Sequence, residues 1–263
     1  VWYRLSKKRR RKRQRTLDMT VATIHQRFGP RSLMKGRASR SAHLGAGIPH
    51  IPTGFSKLDD ALGIGGLPRG RVCEILGPPT SGKTTLALKF LVQAQARGSQ
   101  VAYVDQALYF DPDYAHRCGL DLARLTVSRT HDMQEALAAA EALARSGALS
   151  ALVFDALEIV WTDPGTAPHL AATLNRLTPF LIRSGTTLLV LHESCKGRSP
   201  ALSALSHCAA VRLKVVRERW LHHYQDVRGY EARVEVLKNK LGPAGRTAAI
   251  DIEFNGTVRG NGL

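Results

Sequence analysis

Two short stretches of this sequence carry residue types that suit phosphate chemistry. The first is GPPTSGKTT, positions 77–85, which follows the spacing G-x-x-x-x-G-K-[ST]. In such a loop, backbone N–H groups and the start of the following helix bind phosphates, the lysine neutralises the β- and γ-phosphates, and the threonine hydroxyl binds Mg²⁺. The loop therefore predicts ATP or ADP with Mg²⁺ as ligands. The predicted nucleotide contacts are Gly77, Pro78, Thr80, Ser81, Gly82, Lys83, Thr84 and Thr85.

A carboxylate at the end of a buried strand supplies the second half of such a site. Asp155 closes the apolar run ALVFD, positions 151–155. An acidic side chain at this place holds the coordination shell of Mg²⁺ through water, so Asp155 joins the nucleotide contacts. The alternative is an aspartate that caps the following turn. The predicted Mg²⁺ ligands are Thr84 and Asp155.

The position at which a hydrolase of this layout activates water carries no suitable group. The second apolar strand, VAYVD, ends in Asp105 and is followed by Gln106, Ala107 and Leu108. A general base must accept a proton from the attacking water, and alanine has no group that does so. Asp105 precedes Ala107 by two residues, a rise of ~6–7 Å along a strand. The sequence therefore predicts ATP binding with weak hydrolysis at best.

Apolar strands that alternate with amphipathic helices predict how these residues are positioned. Such alternation is typical of an α/β fold with a mostly parallel sheet covered on both faces. After about position 210, alternating patterns split by turns predict antiparallel hairpins. Asp132 is a suitable N-cap, and glycines follow the helices. The predicted strands are 72–76, 101–105, 151–155 and 187–191, and the predicted helices are 84–98, 133–147 and 168–185.

The composition favours a cytoplasmic protein with a polyanionic partner. The 263 residues carry a formal net charge of +17, and the run at 4–15 contributes nine basic residues and no acid. This balance favours nucleic acid, although a charged run is also typical of a solvated arm without specific function. No apolar run approaches the ~20 residues of a membrane span. The four cysteines form no C-x-x-C pair, which favours reduced thiols.

Several segments, in order along the chain, resemble the bacterial recombinase family RecA. HQRFGPRSLMKG also resembles the N-terminal helix of that family and its exit, which docks on the neighbouring subunit. The similarity runs from about 18 to 258 and is far more specific than the phosphate loop alone. The segments are IPTGFSKLDDALGIGGLPRGRVCEILGPPTSGKTTLALK, DPDYAHRCGLDLARL, ALARSGALSALVFDAL and VEVLKNK.

The resemblance implies roles for five more residues. Asp111 and Tyr114 occupy positions that contact adenine in that family, and Phe254 stands where the family has a second aromatic contact. Lys238 and Lys240 match a pair that reaches the γ-phosphate of the next subunit, which implies a homo-oligomer. Two lysines two residues apart on a strand point to one face, and they also fit an ordinary basic sheet face.

The departures from the family concern hydrolysis. The catalytic glutamate of the family aligns with Ala107. The glutamine that senses the γ-phosphate falls near Glu193 and Ser194. Glu193 and Asp105 are therefore the candidate catalytic acids, and the alternative for Glu193 is a solvated loop acid.

Further departures resemble a second family, the ImuA-type accessory proteins of damage-induced mutagenesis, which work with a polymerase-like partner. The two DNA-binding loops look short, with WTDPGTAP in place of the first and CKGRSPALS in place of the second. The chain also resembles ImuA-type proteins in GLDLARLTVSRTHDMQEALAAAEALARSGA and in ending after VEVLKNKLGPAGR. Many members of that family have a decayed phosphate loop, whereas this one is intact.

An aromatic and basic stretch near the C-terminus has two interpretations. RERWLHHYQDVRGY, positions 217–230, places Trp220 and Tyr224 where they either stack on bases, dock on a protein, or cover the edge of the core. The adjacent His222 and His223 point to opposite faces of a strand, which argues against a metal site.

These observations together predict three parts and one preferred function. The parts are a disordered basic arm at 1–17, a helix over 17–29 with a linker inside 18–50, and a RecA-like ATP-binding core at 51–263 without a C-terminal domain. The preferred function is an accessory or regulator in the DNA-damage (SOS) response. Its expected partners are the RecA recombinase, a translesion polymerase-like protein, and DNA bound mainly by electrostatic contact. The alternatives are an ATP-hydrolysing recombinase that polymerises on single-stranded DNA, and a KaiC- or RadA-like ATPase.

Overall fold

A computed structural model describes residues 2–29, 47–157, 161, 163, 165–193, 199–223 and 226–254. The chain divides into two compact units, 1–46 and 47–263. The first unit contains helix α1, Trp2–Phe28. Lysine, arginine and glutamine favour helices, and neither glycine nor proline interrupts this stretch. The basic run is therefore helical in the structure, where the sequence predicted a disordered arm. Of the linker predicted over 30–50, residues 30–46 lie outside the described residues, and His50 belongs to a short strand.

The second unit is built on an eight-stranded sheet that confirms the predicted fold class. Its strands are β3 (Val72–Leu76), β4 (Gln100–Asp105), β5 (Leu125–Arg129), β6 (Leu149–Asp155), β7 (Thr187–His192), β8 (Val211–His223), β9 (Asp226–Asn239) and β10 (Thr247–Glu253). The order is β10-β9-β8-β3-β7-β6-β4-β5. Pairs from β8 to β5 are parallel, whereas β8, β9 and β10 form the predicted antiparallel hairpins. A separate antiparallel pair joins β1 (His50–Ile51) to β2 (Leu67–Pro68).

Apolar clusters on both faces of the sheet hold this unit together. Along β6, Val153 belongs to one cluster, and Leu152 and Phe154 belong to the other, because successive side chains of a strand point to opposite faces. The helices are α2 (Ser56–Leu62), α3 (Lys83–Ala96), α4 (Pro112–Arg117), α5 (Met133–Arg145), α6 (Thr166–Ser184) and α7 (Pro200–Cys208). Asp132 caps α5 as predicted, by accepting from the N–H of Glu135. Within the described ranges, none of the helices is both long enough and apolar enough to span a membrane.

The carboxyl ends of the central parallel strands bring the predicted site residues together. Asp105 is the register partner of Asp155, which in turn pairs with Leu191. His192 pairs with Leu76, the last residue before the phosphate loop. In open parallel sheets, ligands bind outside this edge, so the topology places the phosphate loop and Asp155 around one crevice.

Candidate nucleotide-binding site

The loop between β3 and α3 forms a cradle that requires glycine at both ends. A Cβ atom on Gly77 would lie 2.2 Å from the carbonyl oxygen of Val215, and one on Gly82 would lie 2.5 Å from Ile252 Cδ1. Gly82 has a φ of 100° and Thr80 a φ of 58°, both in the left-handed region. Backbone in such conformations turns its N–H groups toward a common centre, which suits an anion.

The lysine of the loop lies over this cradle. Lys83 Nζ donates to the carbonyl oxygens of Gly77 and Pro78, at 2.8 Å each. Lys83 also begins α3, whose first N–H groups have no partner inside the helix. Ser81 is buried, and its hydroxyl lies beside Gly77 in the wall of the loop. The cradle, the ammonium group and the helix start therefore fit a bound phosphate.

Thr84 and Asp155 face the same cavity as Lys83 and fit a divalent cation. Oδ2 of Asp155 accepts a hydrogen bond from the hydroxyl of Tyr103 at 2.6 Å. Burial, together with the nearby Asp105, raises the pKa of Asp155 to about 6, although that hydrogen bond acts in the opposite direction. A divalent cation would compensate the burial of this carboxylate, and oxygen donors are the ligands that Mg²⁺ prefers.

A cavity of about 640 Å³ adjoins these groups, a volume typical of small-molecule sites. It is lined by Pro79, Thr80, Lys83, Thr84, Ala107, Tyr109, Asp155, Ala156, Leu157, His192 and Glu193.

Asp105 does not face the cavity, because its carboxylate holds the chain that follows β4. The side chain is fully buried and accepts from the backbone N–H groups of Tyr109 and Phe110, at 3.1 and 3.2 Å. Arg129 Nε on β5 donates to Oδ2 at 3.2 Å. The turn that these bonds close includes Leu108 with a φ of 58°. This candidate catalytic acid is therefore engaged in holding the loop, a role that its sequence position did not indicate.

Ala107 presents its methyl group to the cavity wall beside Asp155. The N–H groups of Gln106 and Ala107 donate to the carbonyl oxygen of Asp155, at 2.9 and 3.3 Å. The Gln106 amide also bridges to Leu157 N and to the carbonyl oxygen of His131. The backbone at Ala107 is thus fixed, and the methyl side chain of Ala107 supplies no proton acceptor.

Glu193 follows the end of β7 and lines the cavity, so its position is compatible with the predicted role as a catalytic acid. The residue before it, His192, also lines the cavity and is buried between Glu74 and the backbone of Glu193. His192 was not among the sequence-predicted site residues, because its partner Glu74 lies 118 residues away. Ser194, the position after Glu193, lies outside the described residues.

The residues expected to contact adenine lie on the far side of the start of α3. Asp111 caps α4 by accepting from the N–H groups of Asp113 and Tyr114. The hydroxyl of Tyr114 is 2.5 Å from that of Thr85, which is buried and does not line the cavity. Thr85 also makes a hydrogen bond with Tyr230.

Tyr230 packs against two exposed aromatic side chains. The ring centroid of Phe254 lies 5.8 Å from that of Tyr230, and Phe254 is 52% exposed. Trp220 packs on both rings and is 45% exposed, with the guanidinium of Arg217 4.4 Å from its centroid. Trp220 therefore both covers the core edge and offers an open face. Tyr224, the other aromatic candidate of this stretch, lies outside the described residues.

Lys238 and Lys240 point to one face, as their spacing predicted, but not to the cavity of their own chain. Both ammonium groups donate to the carbonyl oxygen of His207, at 3.2 and 3.1 Å, and Lys238 also donates to that of Ser206 at 2.6 Å. The pair therefore caps the C-terminus of α7, where positive charge is favourable.

The two short loops are described only in part. Residues 158–160, 162, 164 and 194–198 lie outside the described residues. In the first loop, Trp161 is fully buried and its ring packs on Phe154 and His192. In the second, Ser199 caps α7 by accepting from Leu202 N. The ring packing of Trp161 and the helix cap at Ser199 thus hold the described ends of the two loops against the core.

This chain is similar to known proteins in both sequence and fold. The protein-family model for the RecA N-terminal domain matches residues 15–163 of the sequence. The chain is 37% identical to Protein RecA of Frankia casuarinae, over 95% of this chain and 77% of that protein. It is 34% identical to Protein RecA of Bacillus subtilis, over 92% of this chain and 74% of that protein. The crystal structure of the RadB recombinase shares the fold with a TM-score of 0.63 and 20% identity, covering 78% of this chain and 97% of that one.

Proposed function

Because this chain belongs to the RecA family, we propose that it is an ATP-binding protein of the DNA-damage response that acts as an accessory or regulator of recombinase and translesion mutagenesis. The observation that carries this proposal is the composition of the cavity wall. Lys83, Thr84 and Asp155 face the cavity, whereas Ala107 offers a methyl group where water would need a base. A site of this kind is suited to hold a nucleotide for a long time.

In this proposal Mg-ATP is bound as the sequence predicted. The loop cradle and Lys83 hold the phosphates, and Thr84 and Asp155 hold Mg²⁺, which would neutralise phosphate charge when bound. Asp155 must be ionised to do so, and with a pKa of about 6 it is mostly ionised at neutral pH, where a bound cation would stabilise the charged form further. Tyr114 and Phe254 would contact the base.

Replacing Lys83 by alanine tests nucleotide binding directly. The change removes a charge-assisted contact worth ~2–3 kcal/mol, so we expect about a hundredfold loss of ATP affinity. Isothermal titration with Mg-ATP measures the loss. Lys57→Ala, an equivalent change at an exposed position of α2, is the matched control and should bind as the unchanged protein does. Equal affinities for the unchanged protein and Lys83→Ala contradict the proposal.

A true recombinase is the second candidate. It is favoured by the intact phosphate loop and by similarity to RecA proteins over nearly the whole chain. A recombinase must hydrolyse ATP faster when single-stranded DNA is present, whereas an accessory protein that binds DNA mainly through its charge need not. The DNA dependence of ATP turnover therefore separates the two candidates.

The accessory role also requires a protein partner, for which we propose the RecA recombinase docked on segment 18–36. Within this segment, Phe28 ends α1 and is 67% exposed, and Met34 lies outside the described residues. In this docking mode Phe28 is a hot spot of the interface, and truncation of such a residue typically costs ≥2 kcal/mol. Phe28→Ser should therefore abolish any effect of the protein on growth of RecA filaments. Leu17→Ser, an exposed position of the same helix outside the segment, is the matched control. An unchanged effect of Phe28→Ser contradicts this docking mode.

A further inference from the structure

His192 lies between two groups that only accept hydrogen bonds. Its Nε2 is 2.9 Å from Oε1 of Glu74, and its Nδ1 is 2.6 Å from the backbone carbonyl oxygen of Glu193. A neutral imidazole has a single N–H and therefore satisfies one of these contacts while directing a lone pair at the other oxygen. An imidazolium donates to both.

The state of Glu74 decides whether both contacts need a donor. Glu74 is fully buried on β3, and Arg212 on β8 donates to both of its oxygens, at 2.7 and 3.0 Å. Burial alone would raise the pKa of Glu74, but the hydrogen bonds from His192 and Arg212 outweigh it and lower that pKa. The carboxyl group is thus a carboxylate at neutral pH, and it accepts from the histidine.

The position of His192 gives this charge a place in the nucleotide site. The side chain is 3% exposed, yet it contributes to the cavity wall together with Lys83. On its other side it packs against the ring of Trp161, at 5.6 Å between centroids. The remaining charged groups of the wall, Asp155 and Glu193, are acidic.

We propose that His192 is a buried imidazolium that fixes the peptide at the end of β7 and adds a second positive charge, beside Lys83, to the phosphate end of the cavity. The inference rests on the proposed nucleotide binding and deepens it. Arg212 and Glu74 neutralise each other, so the proton on His192 leaves the group of three with one net positive charge. That charge favours the ligand with the additional negative phosphate, which makes His192 a positioning residue that discriminates ATP from ADP.

The charge itself is measurable in the unchanged protein. Long-range ¹H–¹⁵N NMR at neutral pH reports whether each ring nitrogen carries a proton, and contact with the Trp161 indole identifies the signal of His192. We expect two protonated nitrogens. An imidazole ring with one unprotonated nitrogen overturns the proposal. The measurement uses the unchanged protein, so it does not depend on the folding of a variant.

The functional consequence is tested by His192→Gln, which keeps an amide donor and removes the charge. We expect the ratio of ATP affinity to ADP affinity to fall by about tenfold, the order of a unit charge acting over several ångströms near a protein surface. His169→Gln, at an exposed position of α6, should leave the ratio unchanged. An unchanged ratio in folded His192→Gln overturns the discriminating role. If the unchanged protein binds neither nucleotide, the proposed function fails, whereas the NMR measurement still decides the charge of His192.

Discussion

We expect the unchanged protein to hydrolyse ATP slowly, with little stimulation by single-stranded DNA. A positioned general base typically contributes ~10²–10⁴-fold, so turnover should lie below that of a base-equipped relative by about this factor. The reason is local. The wall of the cavity at Ala107 carries a methyl group, and Asp105, the nearest acid along β4, is engaged with Tyr109, Phe110 and Arg129.

Ala107→Glu is the change that should restore hydrolysis. The backbone at this position is held to Asp155 by two hydrogen bonds, so a longer side chain there projects from a fixed point of the wall. We expect a steady-state rate that rises by up to ~10²–10⁴-fold. Ala107→Gln has the same shape without a basic group, and it should leave the rate low.

Glu193 is the other acid of the wall, and its removal decides whether it replaces the missing base. Glu193→Ala should change the slow rate little. If the unchanged protein turns over ATP fast and Glu193→Ala abolishes this activity, Glu193 is the general base. Strong stimulation by DNA would favour the recombinase instead of the accessory protein.

The sequence predicted the parts of the fold that depend on local patterns. The central strands and the helices α3, α5 and α6 appear within a few residues of their predicted ends, because apolar runs, glycine stops and the Asp132 cap are local signals. The phosphate loop was readable for the same reason. The edge strand β5 was missed because its side chains are mostly exposed and carry no apolar run. The helix α4 was missed although Asp111 followed by Pro112 is a capping signal.

The parts of the site that were missed depend on contacts between distant positions. His192 finds Glu74 118 residues away, and Arg212 finds the same carboxylate at a separation of 138. Lys238 reaches the end of α7 at a separation of 32. A single sequence reports residue types and spacing, so it identified Lys238 as a candidate but did not reveal which oxygen it contacts in the isolated chain.

Asp105 illustrates the same limit and carries the largest expected effect on stability. Its position after β4 made it a candidate catalytic acid, whereas the folded chain surrounds it with donors. Arg129 is about half exposed, so the main cost is that of leaving buried donors without an acceptor, typically ~1–3 kcal/mol. Asp105→Ala leaves two backbone N–H groups and the Arg129 guanidinium without this acceptor, so we expect a loss of unfolding free energy in that range.

Urea denaturation followed by tryptophan fluorescence, to which the buried Trp161 contributes, measures this loss. Asp105→Asn keeps an acceptor oxygen without the charge and should lose less, and Asp113→Ala, an exposed aspartate of α4, should lose little. A structural role predicts that Asp105→Asn, once folded, hydrolyses ATP as slowly as the unchanged protein. The opposite pattern, a stable Asp105→Ala that has lost ATP turnover, would assign Asp105 to catalysis and remove the reason for expecting a slow enzyme.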